Sequence, residues 1–305
     1  MRAKVVVRSI TPLLVGGWCG KARCDGLDEG LRPSSVRGVA REFFRNVVYR
    51  MIPGRKWEQV YRVESKLFGS TEQASPFIVR VKPKGIAYDV RPWCRAANMV
   101  YKGNKRSRMF YPLRQMDNVS CYRDFIIDVL TRRPVLNRLS SREEDQEELL
   151  KTFVFSITTS LAILGAGKRR SRGMGKLLPI EVEVNGENLL RKAVDLQKAL
   201  WCRKSDEDNW APFKNSVKSL GGVEPDHPRG LCVNYVKSLK LCPINKFLTE
   251  IRWFVKAYRK AFVTVSVEDY LLGGDYQVPC TNLTRKNYLI GKLDGFYLFT
   301  KKQKK

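Results

Sequence analysis

This sequence is short of histidine, short of acids and without a long apolar run. A single histidine, His227, stands in 305 residues, inside Pro-Asp-His-Pro, where the prolines suggest a loop. Histidine-based acid–base chemistry therefore has little to draw on. The eight cysteines are scattered, with no Cys-x-x-Cys pair; Cys19 and Cys24 come nearest. They read as free thiols of a reducing compartment rather than a zinc site, and no metal or other cofactor is expected. The longest apolar stretches, 11–18 and 160–167, are far below the roughly 18 residues that span a bilayer. Arg8 interrupts the apolar N-terminal run, which makes a poor signal peptide. The expectation is a cytoplasmic protein with no membrane partner and no small-molecule substrate.

What the chain has in excess is positive charge. Lys and Arg total 57 against 30 Asp and Glu, a formal net of +27. Such an imbalance opposes compaction unless something anionic offsets it, and nucleic acid is the usual partner. Charge alone would also suit a general basic RNA-binding scaffold.

Periodicity outlines the organisation. Residues 3–10 read as a strand, and a glycine-rich loop follows. Pro33, Ser34 and Ser35 lead into a helix with Val36, Val39, Ala40, Phe43, Phe44, Val47, Val48 and Met51 on one stripe, stopped by Pro53-Gly54. Strands are expected at 75–82, 121–130 and 177–184. A helix lies before the last, with a Ser141/Glu144 capping box, acids Glu143, Glu144 and Asp145 in its first turn, and an apolar stripe of Leu149, Phe153, Ile157, Leu161 and Leu164. The resulting β-α-β-β-α-β order over 1–185 is the ferredoxin-like (RRM-like) pattern of an α+β domain, whose sheet is a common RNA platform. Residues 186–300 read as a second, irregular α+β domain. Its expected elements are helices in 187–201 and 243–260, a strand at 261–267, and a hairpin around Asp294-Gly295. Residues 301–305 read as a basic tail.

Two constellations carry the chemistry. Residues 165–175, Gly-Ala-Gly-Lys-Arg-Arg-Ser-Arg-Gly-Met-Gly, place Lys168, Arg169, Arg170 and Arg172 between Gly165, Gly167, Gly173 and Gly175, with no acid among them. Glycine lets a backbone approach a phosphate closely, and guanidinium forks suit phosphate oxygens. The spacing is not that of a P-loop, so ATP binding is not expected. Second, Arg32, Ser34, Ser35, Arg37 and Arg41 sit at a helix entrance, where the serines either cap the helix or meet a phosphate. Lys102, Lys105, Arg106 and Arg108 in a basic insertion are further candidates for backbone contact. Trp18, Trp93, Tyr101, Phe110 and Tyr111, near basic segments, could stack on bases.

The stretches "ITPLLVGG", "LRPSSVRGVAREFFR", "ESKLFGSTEQASPFIVRV" and "LGAGKRRSRGMGKL", in this order, resemble the Cmr subunit-one family. These are RAMP proteins of type III-B CRISPR effector complexes. The resemblance covers roughly 8–180, with the family's Arg-Pro-x-Ser-x-Arg-Gly stretch falling on 32–38 and its glycine-rich loop on 165–175; Met174 stands where an aromatic is usual. It implies two ferredoxin-like domains, with binding toward the 3′ part of the guide RNA or the guide–target duplex. It also implies assembly with other RAMP subunits and no nuclease activity. The rival within the same superfamily is an RNA-cleaving enzyme, with His227, or the loop residues Asp25 and Asp28, as its candidates.

Overall fold

The computed structural model describes residues 1–9, 13–16, 30–85, 120–168, 175–199 and 210–226. Six short strands elsewhere are described by their backbone alone. In chain order the elements are β1 (Arg2–Ser9), β2 (Arg23–Cys24), β3 (Leu27–Asp28), α1 (Pro33–Met51), α2 (Trp57–Phe68), β4 (Phe77–Lys84) and β5 (Asp124–Thr131). Then follow α3 (Arg133–Leu139), α4 (Glu143–Ile163), β6 (Leu177–Val184), β7 (Glu187–Asn188), α5 (Leu190–Ala199) and α6 (Ala211–Gly221). The short strands β8 (Leu241–Pro243) and β9 (Gln277–Pro279) pair with each other, as do β10 (Tyr288–Leu293) and β11 (Phe296–Lys301). Leu293 stands opposite Phe296, which leaves the expected two residues for the turn. The expected helix at 243–260 and strand at 261–267 lie outside the described residues.

The main sheet has the order β4-β5-β1-β6-β7 and is antiparallel throughout. Its four long strands and the helices between them follow the expected β-α-β-β-α-β order. β1 is central because its valines are apolar on both faces: Val5, Val6 and Val7 are all fully buried. In β5 the buried set is Phe125, Ile127 and Val129, a clean alternation; Tyr122 falls before the strand begins.

Helix α1 buries the eight residues its apolar stripe named. Its entrance departs from expectation. Arg32 is the N-cap and Pro33 the first helical residue, so Ser34 and Ser35 lie inside the helix and cap nothing. The capping box at α4 is likewise displaced. Arg142 is the N-cap, and the serine that acts is Ser140: its Oγ accepts the Arg142 amide at 3.2 Å and donates to Asp145 at 3.0 Å.

Helix α4 is buried on every side from Thr152 to Leu161. The sheet and α1 cover one side, and α5 and α6 cover the other. Phe43, Phe44, Phe68, Phe77, Phe153, Trp210 and Phe213 form one chain of aromatic contacts, with neighbouring centroids 4.8–6.2 Å apart. Thr152 Oγ1 donates to the Pro212 carbonyl at 2.7 Å and accepts from Ser216 Oγ at 2.8 Å. The hydrophobic core therefore continues past residue 185 through Ala193, Leu196, Phe213, Val217 and Leu220.

Candidate nucleic-acid interface

The outer face of the sheet is occupied by its own ion pairs. Lys4 reaches Glu181, Arg8 grips Asp124 with two bonds of 2.8 Å, and Lys82 lies 3.5 Å from Asp128. None of the described residues on this face is aromatic. A ribonucleoprotein-type platform needs exposed aromatic rings in the central strands, and these strands carry Lys4, Arg8, Asp124 and Asp128 instead. The expectation that the sheet itself is the RNA platform does not fit this surface.

The two basic constellations meet at the edge of the fold. Arg32, Ser35 and Gly38 of the α1 entrance line one cleft of about 480 Å³ with Gly167 and Lys168 of the glycine-rich loop, and Val15, Gly16, Val39 and Glu42 complete it. Three local devices join segments so distant in sequence. The Lys168 amide donates to the Leu14 carbonyl at 2.6 Å. The Arg32 guanidinium donates to the Gly16 carbonyl. The Ala166 amide donates to the Gly175 carbonyl at 2.8 Å, closing the stem of the loop.

The described glycines of the loop serve that stem. Gly165 follows the C-cap of α4 with φ 75°, where the left-handed conformation ends a helix. At Gly167 (φ 80°) a Cβ would strike the Leu14 carbonyl, and at Gly175 (φ 65°) it would strike that of Ala166. Gly165 and Gly175 are buried. Gly167 and Gly175 thus allow one protein backbone to approach another, and Gly167 also lines the cleft. Lys168 is exposed. Arg169, Arg170, Arg172 and Gly173 lie outside the described residues. So do Lys102, Lys105, Arg106 and Arg108, the aromatics Trp18, Trp93, Tyr101, Phe110 and Tyr111, and His227. Asp28 lies in β3, paired with Arg23 in β2, and Asp25 is outside the described set.

The arginines along α1 have distinct environments. Arg41 and Arg45 both donate to Glu64, whose side chain is fully buried. Burial pushes the Glu64 carboxyl up, but the hydrogen bonds and charges of Arg45 and Arg41 outweigh it and hold the group below the usual carboxylate range. Arg41, expected at a phosphate, is thus committed on one side to the protein's own acid. Arg37 donates to the Phe68 carbonyl at 2.8 Å. Its burial, with Arg132 and Arg41 nearby, pulls its pKa down. Sequence reading missed Glu64 as a partner, because an acid on an amphipathic helix ordinarily faces water. Among the described residues no cluster of His, Cys, Asp and Glu could hold a metal, and no helix is long and apolar enough to cross a membrane.

The chain belongs to the RAMP superfamily, whose model matches residues 7–177, more than half its length. No curated protein sequence matches the chain. Among solved structures it is similar to a chain of the type III-B Cmr-beta bound to cognate target RNA, at 13% identity and TM-score 0.48, covering 84% of this chain and 73% of that one. It is also similar to Cmr1 from Pyrococcus furiosus in its apo form, at 14% identity and TM-score 0.44, covering 100% and 89%. For Cmr6 from the same organism the identity is 12% and the TM-score 0.33, covering 59% and 97%.

Proposed function

We propose that this RAMP protein is an RNA-binding subunit of a type III-B CRISPR effector complex in antiviral defence. In this role it holds the 3′ region of the guide RNA or the guide–target duplex and assembles with other RAMP subunits. The carrying observation is the single cleft that unites the α1 entrance with the glycine-rich loop. Two basic segments from distant parts of a strongly cationic chain converge on a groove open to a ribose-phosphate strand. Three of the four sequence stretches that resemble the Cmr subunit-one family contribute residues to this cleft. A second, less regular ferredoxin-like domain completes the chain after the helices that cover α4.

Replacing Arg169, Arg170 and Arg172 with Ala is expected to weaken single-stranded RNA binding. It should also flatten the dependence of log affinity on log salt by about 0.7 for each phosphate that is no longer neutralised. An unchanged slope would remove the loop from the interface. The subunit binds rather than cleaves: His227→Ala is expected to leave target cleavage by the assembled complex at its parental rate. Loss of cleavage without loss of assembly would establish an endoribonuclease instead.

A further inference from the structure

We infer that a bound RNA strand continues from the glycine-rich cleft across Gly38 into a second cleft, where Arg37, Arg41 and Arg132 hold phosphates and Tyr61 stacks a base. This inference rests on the RNA-binding reading above and extends it to a site on the far side of helix α1.

The second cleft measures about 800 Å³ and lies between the start of α1, the turn at 69–75 and the edge strand β4. Its lining contains three arginines and no acid. Arg37 is held in place by the Phe68 carbonyl rather than by a carboxylate. Arg132 has no acidic partner among the described residues. Arg41 shares the one buried carboxylate, Glu64, with Arg45, so that acid cannot neutralise both. Like charges gathered around a concave surface repel unless an anion enters. Burial, and after it the neighbouring charges of Arg132 and Arg41, lower the pKa of Arg37.

An aromatic ring at the rim favours a nucleic acid over a simple anion. Trp57 and Tyr61 are the two exposed large apolar side chains among the described residues, at 58% and 56%. They stand one turn apart on α2, so they share a face. Trp57 is stacked on Tyr49 at 4.4 Å, while Tyr61 lines the cleft. Cations along a groove with an exposed ring beside them are what single-stranded nucleic acid requires, phosphate by phosphate and base by base.

Gly38 links the two clefts, since it lines both. It lies inside α1, where glycine is less favourable than alanine. Nothing stands within 4 Å of where its Cβ would be, and its φ is not in the left-handed region. The fold does not need glycine there. A missing side chain between two cationic clefts leaves a bare stretch of helix for a strand to cross.

The test is binding of a fluorescent oligouridine of about 16 nucleotides to the full chain. The variants are Tyr61→Ala, Tyr61→Phe, Arg132→Ala and Gly38→Phe, all at exposed positions that leave the core untouched. Tyr61→Ala and Arg132→Ala should each weaken binding about five-fold or more. Tyr61→Phe should restore it. Arg132→Ala alone should flatten the salt dependence, by about 0.7. Gly38→Phe should weaken binding as much as either while the melting temperature holds. Parental affinity in these variants, with weakened binding in the Arg169/Arg170/Arg172 variant, would overturn the second cleft and leave the proposed function standing. Parental affinity in both sets would overturn both. Parental RNA affinity combined with failure to assemble with other RAMP subunits would make the cleft a protein-docking surface and overturn the inference.

Discussion

Among the described residues Glu64 is the one charged side chain that is fully buried, and its environment has a measurable consequence. Removing Arg41 and Arg45 together leaves a carboxylate without its cations inside the core. At neutral pH the R41A/R45A variant is expected to lose about 3–5 kcal/mol in urea unfolding. The pH dependence has a definite sign. In the parent the folded pKa of Glu64 is depressed. Its contribution is therefore present above the ordinary carboxylate value and fades as pH falls through the folded value. In the variant the orphan carboxyl is protonated more readily when folded, so lowering the pH relieves the penalty. The gap between the two proteins should narrow toward acid, and a constant gap from pH 7 to pH 4 would refute the account. Sequence reading identified Arg41 but not its partner. The pairing runs between two helices, and nothing in the local spacing of either announces it.

At the scale of elements, apolar periodicity predicted α1 down to its eight buried residues, because one helix face meets one core. The same rule recovered only four of the thirteen buried residues of α4. Leu149, Phe153, Ile157 and Leu161 are on its predicted stripe, but Thr152, Ser156, Thr159 and Ser160 are buried too. Small polar residues read as a solvent face in sequence. Here several close their bonds within the helix or across to α6, as Ser156 Oγ does to the Thr152 carbonyl at 2.7 Å. The displaced capping box has the same kind of cause. Ser140 and Ser141 both offer a hydroxyl, and the backbone leaving α3 decides which one turns inward. The long strands and helices follow the expected chain order, yet the sheet's outer face pairs acids and bases across strands, a property of register that no single strand displays.

For the whole molecule, α5 and α6 decide where the first folding unit ends. A boundary at 185 would strip α4 of one side, exposing Thr152, Phe155 and their neighbours and removing Phe213 from the aromatic cluster. Loss of a buried phenylalanine alone costs about 3–5 kcal/mol, a large share of a domain's stability. A fragment of residues 1–185 is therefore expected to aggregate or to unfold without cooperativity. A fragment of residues 1–226 should unfold in a single urea transition. Cooperative unfolding of the shorter fragment would return the boundary to 185.

By itself the sequence determined the sign and size of the net charge, the order of the main elements and the glycine-bracketed cationic segment. Charge excess, periodicity and composition are additive or local quantities that folding does not alter. Only the tertiary structure decided that the loop and the α1 entrance share a cleft, that two of the loop's glycines serve the protein's own backbone, and that Arg41 is half committed to Glu64. It also brought Arg132 and Tyr61 to one cleft. These are contacts between residues far apart in the chain, and which distant groups meet is set by how the whole core packs.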